Sequence, residues 1–196
     1  MAVVATVTRQ LSAQSDNGAG ISVIKQVIDS MNNLGSFKAD LSINHAGTMA
    51  RGKLSYQDGK IHLKLSDGRV IAADGKELVV YNPVSMVAGR QSLDEEEKSL
   101  GLNWLLSGYG TQQYDQSKSS VVMKALDSRR EIQDVQLEWN EKFYIKTISY
   151  KTLEKEEWTV LTFANITSVN NLSAGLFSWR PPAESRTVLN PLNTKN

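Results

Sequence analysis

Histidine and cysteine come first, because between them they supply most nucleophiles, general bases and soft metal ligands. The chain has no cysteine and only two histidines, His45 and His62. Without a thiol there is no thiolate nucleophile, no disulfide and no zinc–thiolate or iron–sulfur site. His45 and His62 fall on separate predicted strands, with no partner at metal-ligand spacing. Both read as ordinary sheet histidines, His45 on the dry face of its strand and His62 on the wet face. Asp94, Glu95, Glu96 and Glu97 are consecutive. On a helix they point around the axis rather than into one cage, and they suit the positive end of the dipole. No Gly-x-Ser-x-Gly elbow is present. The stretch from Gly68 to Lys76 has the wrong spacing for a phosphate loop and no Ser or Thr after the lysine. No pair of carboxylates stands out for sugar chemistry. The expectation is a protein without catalytic residues, metal or cofactor.

Charge excludes a second class. Twenty-two Lys and Arg against 21 Asp and Glu leave a net charge of +1 over 196 residues. No basic field exists to hold nucleic acid. The small patches at Arg129-Arg130 and at Lys142, Lys146 and Lys151 are offset by Glu131, Glu138 and Glu141. No apolar run approaches the roughly 18 residues of a membrane helix.

The elements that could position a site follow from periodicity. Residues 1–20 read as a flexible arm or the remnant of a signal peptide, with Leu11-Ser12-Ala13 resembling a cleavage region. Ile21, Ile24, Ile28 and Met31 recur at helical spacing, and Gly35 marks the stop. From there the period becomes two. Phe37, Ala39, Leu41 and Ile43 share one strand face, Leu54 and Tyr56 another, and Ile61, Leu63 and Leu65 a third. Asp58-Gly59, Asp67-Gly68 and Asp74-Gly75 are hairpin signals, because tight turns between strands need positive φ. Leu78 to Tyr81 is a further apolar run. Ser92 to Leu106 reads as a helix. Strands resume around Val121, Val135, Phe143 to Tyr150 and Trp158 to Ile166, the last expected to be covered on both sides. The sum is an α+β, mainly antiparallel fold. A sheet of nine or more strands must curl into an incomplete barrel, with a helix at each of two places to cover its concave face. One domain is expected over residues 21–182, with a polar tail over 183–196.

The remaining chemistry is apolar. Leu102, Trp104, Leu105 and Leu106 would be costly to expose, at about 25 cal/mol per Å². They read either as core or as a lid hinged at Gly101 and Gly108 over a cavity. The expected cavity lining is Leu41, Ile43, Leu54, Ile61, Leu63, Leu65 and Val80. Such a lining suits acyl chains.

Several segments, in order, resemble one family. They are Ser36-Phe37-Lys38-Ala39, Gly52-Lys53-Leu54, Asp74-Gly75-Lys76-Glu77-Leu78-Val79-Val80-Tyr81, and Phe177-Ser178-Trp179-Arg180-Pro181-Pro182. Together they are similar to the LolA-type outer-membrane lipoprotein carriers, over about Ile21 to Pro182. The resemblance implies a half-barrel with helices over its open side and a C-terminal strand carrying the Pro-Pro pair. It implies a monomeric periplasmic chaperone of the Gram-negative envelope that shields lipoprotein acyl chains or another lipid. Its partners would be an inner-membrane release complex and an outer-membrane acceptor. The hairpin Gln57-Asp58-Gly59-Lys60 lacks the arginine by which family members control release. A second reading keeps the fold and closes the core, giving an envelope sensor or protein-interaction domain.

Overall fold

The computed structural model describes residues 18–93 and 104–189. The expected acidic helix start at Asp94 to Glu97, the hinge Gly101 and the lid residue Leu102 lie outside them, as do the first 17 residues and the last seven. A helix over 18–32, α1, opens the described chain. The strands are β1 (Ser36–His45), β2 (Thr48–Gln57), β3 (Lys60–Leu65), β4 (Val70–Ala73), β5 (Glu77–Asn82), β6 (Val87–Ser92), β7 (Tyr109–Asp115), β8 (Ser120–Ala125), β9 (Ile132–Trp139), β10 (Ile145–Thr152), β11 (Lys155–Ser168) and β12 (Arg186–Leu189). Short helices α2 (Trp104–Gly108) and α3 (Ala174–Phe177) complete the set. The twelve strands form one open sheet in the order β12-β6-β5-β4-β3-β2-β1-β11-β10-β9-β8-β7. The fold is thus α+β with a mainly antiparallel sheet. The exception is β12, which pairs parallel to β6.

The chain divides into two compact units. The first comprises Met1–Asn33, Asn44–Gly47 and Asn103–Thr162. Its core follows from alternation on paired strands. Val121 pairs with Leu137 and Met123 with Val135, so all four share a face, and all are fully buried. Thr111 of β7 pairs with Met123 and joins that face. Gly20 lies so close to Thr111 that a β-carbon there would collide with its side chain. The glycine therefore lets α1 begin flat on this face. The helical stripe Ile24, Val27, Ile28 and Met31 is buried, as its spacing predicts. Leu105 of α2 is buried too. Gly108 ends α2 against the Arg130 guanidinium, which a β-carbon there would displace, and that guanidinium lies over the Tyr109 ring. His45 sits at the edge of this unit, with Nδ1 2.9 Å from Thr159 Oγ1.

The second unit comprises Leu34–Ile43, Thr48–Leu102 and Phe163–Asn196. Its heart is the meander β2 to β6, built by the turns the sequence announces. Asp58 and Gly59 both adopt positive φ, 50° and 77°, between β2 and β3, the geometry that matches strand twist. At the next two turns the aspartate side chain accepts backbone N–H bonds. Asp67 takes that of Arg69, and Asp74 those of Lys76 and Glu77.

Three expectations need correction. Ser92 is not the start of a helix. It ends β6, which is held in register by β5, and of the expected helix only residues 104–106 are helical among the described residues. Strand β11 is not covered on both sides, for none of its residues is buried. Its apolar positions are interrupted by Thr159, Thr162 and Asn165, and Trp158 is instead faced by the Lys151 ammonium. The Phe177 to Pro182 segment is not a strand. Phe177 ends helix α3, and the prolines follow outside any element.

Candidate functional site

Each face of the second unit can be read from its registers, since residues paired across antiparallel strands point the same way. Leu54 pairs with Leu63, Leu63 with Ile71, Ile71 with Val80, and Val80 with Gly89. Val188 of β12 then pairs with Gly89. One straight row of five apolar side chains and Gly89 thus crosses six strands. A second row beside it runs Tyr56, Ile61, Ala73, Leu78 and Gln91. Leu65, opposite Gly52, belongs to the same face.

Strand β1 adds to this face. Phe37 stacks on Tyr56, with ring centroids 5.0 Å apart. Asp40 ion-pairs with Lys53, which points the other way from Leu54. Ala39, Leu41 and Ile43, with parity opposite to Asp40, therefore lie on the apolar face.

The row changes character along its length. Leu54 and Leu63 are buried, Ile71 is half-buried, and Val80 is 43% exposed. Where Val80 and Val188 flank Gly89, the missing side chain leaves a groove of about 430 Å³. Its walls are Leu78, Val80, Val87 and Val188, with Gly89 and Gln91 beneath and Asn82 and Ser85 at one end. That volume is within the roughly 300–1,000 Å³ of small-molecule sites. Met86 and Val84, in the adjoining β5–β6 turn, are exposed as well.

The opposite face is closed by the chain itself. Val70, Ala72, Tyr81 and Ala88 form a small core under Trp179, whose ring lies 5.5 Å from that of Tyr81. Helix α3 packs on β3 and β4, and its Phe177 is buried. Glu77 fastens this cover. It accepts two bonds from Arg90, at 2.9 and 2.6 Å, and a third from Arg180 at 3.2 Å. The bidentate contact holds Arg90 above its ordinary pKa, through its hydrogen bond to Glu77. His62 belongs to this face, as its parity predicts, yet it is buried rather than wet. Burial, and secondarily the Lys64 charge, depress its pKa below 6.5.

The structure brings Leu41, Ile43, Leu54, Ile61, Leu63, Leu65 and Val80 to one face of one unit. Of these, Val80 lines the groove. The expected lid residues are described only in part. Leu105 is buried and Leu106 half-buried in the first unit, Leu102 is outside the described residues, and of Trp104 the backbone alone is described. Sequence reasoning missed Ile71, Leu78, Val87, Gly89, Gln91 and Val188. Alternation could have placed Ile71 and Leu78. Strand β6 carries Gly89, Arg90 and Gln91 in succession and shows no apolar period. Among the described residues no group of three or more His, Asp or Glu could hold a metal ion.

No family model matches the sequence, and no curated protein does. Solved structures do. An uncharacterized conserved protein from Thermus thermophilus is similar at 8% identity and a TM-score of 0.54, with 84% of this chain and 98% of that one covered. The two share a fold. A lipoprotein-sorting protein domain from Vibrio parahaemolyticus is similar at 8% identity and a TM-score of 0.49, covering 82% and 97%. The lipoprotein LppX of Mycobacterium tuberculosis follows at 16% identity and 0.46, covering 80% and 100%.

Proposed function

We propose that this protein is a lipid carrier that holds a hydrocarbon chain against the apolar face of its second unit. The observation that carries the reading is the cross-strand row from Leu54 to Val188, which ends in an open groove at Val80 and Gly89. Hydrocarbon laid there leaves water at about 25 cal/mol per Å². The groove walls supply the exposed apolar surface, and the buried Leu41, Leu63 and Leu65 continue the same face beside it. Binding is then burial alone. The ligand moves on when an acceptor offers a better apolar surface, with no bond made or broken. The natural cargo in this reading is the acyl part of a lipoprotein or a free lipid. The site of action is the periplasm of a Gram-negative envelope, where exposed acyl chains need shielding between membranes. An inner-membrane release complex would load the carrier and an outer-membrane acceptor would unload it. The carrier would act as a monomer and without a cofactor.

A photo-crosslinking amino acid at position 80, with position 64 on the opposite face as control, tests this in a Gram-negative periplasm. Crosslinks to acylated lipoproteins or lipid from position 80, absent from position 64, are expected. Crosslinks confined to a non-lipidated protein would replace the carrier with an interaction domain.

A further inference from the structure

One polar side chain is out of keeping with the groove. Gln91 stands at the end of the row Tyr56, Ile61, Ala73, Leu78, and it lines the groove beside Leu78. It is only 3% exposed. Its Nε2 donates one long bond, 3.4 Å, to the Ser92 carbonyl. Among the described residues its Oε1 has no partner, and solvent does not reach it. A buried acceptor left unpaired is costly, whereas an apolar residue of the same shape would cost nothing there. The site is therefore short of one hydrogen-bond donor.

From this we infer that the preferred ligand is a hydroxylated acyl chain, whose O–H donates to Gln91 Oε1. The inference rests on the carrier reading and adds the class of chain. A hydroxyl suits the position better than an amide. An amide N–H would bring a carbonyl that the walls Leu78, Val80, Val87 and Val188 cannot satisfy. The last torsion of glutamine is soft, so the amide plane can turn toward a bound donor without leaving its rotamer.

The geometry also orients the chain. Asn82 and Ser85 make the far end of the groove polar. Arg186, exposed and paired in register with Val87, stands at that same end. An anionic headgroup belongs there. Gln91 is four strand residues away from Val87, or about 13 Å at the usual rise per residue. The hydroxyl should therefore lie well down the chain rather than next to the headgroup.

Displacement of a fluorescent fatty acid from the full-length protein gives the test, with octadecanoic, 3-hydroxyoctadecanoic and 12-hydroxyoctadecanoic acids as competitors. The 12-hydroxy acid should bind about fivefold to tenfold more tightly than the other two, the worth of one net hydrogen bond. Gln91→Met should erase that preference, so that the three acids compete alike. Equal binding of the three acids by the wild type overturns the inference and spares the carrier reading. So does a preference that survives in Gln91→Met. Binding of none of them overturns both. The wild-type comparison stands even where the variant folds poorly.

Discussion

The two units treat the same raw material, alternating apolar strands, in opposite ways. In the first, Val121, Met123, Val135 and Leu137 are packed to zero or near-zero exposure, and the stripe of α1 is buried with them. In the second, one face is closed by Phe177 and Trp179, while the other runs from buried Leu63 out to exposed Val80 and Val188. An exposed apolar strip next to a buried one signals a surface kept for something else. The difference teaches where to expect stability and where to expect binding. Side chains in the first unit should matter to folding and little to a ligand. Those around Gly89 should do the reverse.

The sharpest way to break this contrast is Leu137→Ala. A fully buried leucine lost to a cavity costs about 2–5 kcal/mol, read as a lower denaturant midpoint, while acyl binding by the folded fraction should not change. Second in size is Glu77→Ala. It removes three charged hydrogen bonds and leaves half-buried Arg90 without its anion, a loss of roughly 1.5–3 kcal/mol. The Trp179 segment should then loosen from Tyr81, seen as faster proteolysis near Arg180. Arg180→Ala should do much less, because that side chain is largely exposed.

A smaller effect comes from His62 on the covered face. Its folded pKa is lowered, so the unfolded chain binds the proton first as pH falls. Its contribution is intact above about 6.5 and is lost as pH drops from there toward the folded value. Urea midpoints at pH 8 and pH 5 should differ for the wild type and differ less for His62→Gln. The smallest effect expected is that of Arg186→Ala. It should weaken an anionic amphiphile a few-fold at low salt and hardly at all at high salt, where exposed charges are screened. Stability should stay unchanged.

How far the sequence could be read depends on what holds each element. Hairpins at Asp58, Asp67 and Asp74 were legible, because positive φ and aspartate side-chain acceptors are local requirements that only a few residue types meet. Helix α1 and the parity of β1, β2 and β3 were legible because most of their apolar residues keep to a single face. Strand β6 was not. Gly89, Arg90 and Gln91 have no apolar alternation, and the strand exists because β5 fixes its register and Glu77 neutralises Arg90. Strand β12 was equally silent, since all four of its residues are exposed and a parallel edge position asks little of a side chain. The groove lies at the meeting of β5, β6 and β12. Val80 was readable, and Gly89, Gln91 and Val188 had to come from pairing. His62 shows the limit of parity. Alternation gave its face, but its burial belongs to a face that residues more than 100 positions later, from Phe177 to Trp179, close over.

The most direct measurement of the central claim is displacement of a fluorescent fatty acid by octadecanoic acid, compared among wild type, Val80→Asp and Lys64→Asp. Position 80 is solvent-exposed, so a carboxylate there leaves the fold intact while charging the groove wall. Val80→Asp should weaken binding by more than about tenfold, the cost of leaving a charge against hydrocarbon. Lys64→Asp, on the opposite face, should bind as the wild type does. Equal affinity of all three proteins, or equal loss from both variants, would contradict the assignment of the apolar row as the lipid-binding surface.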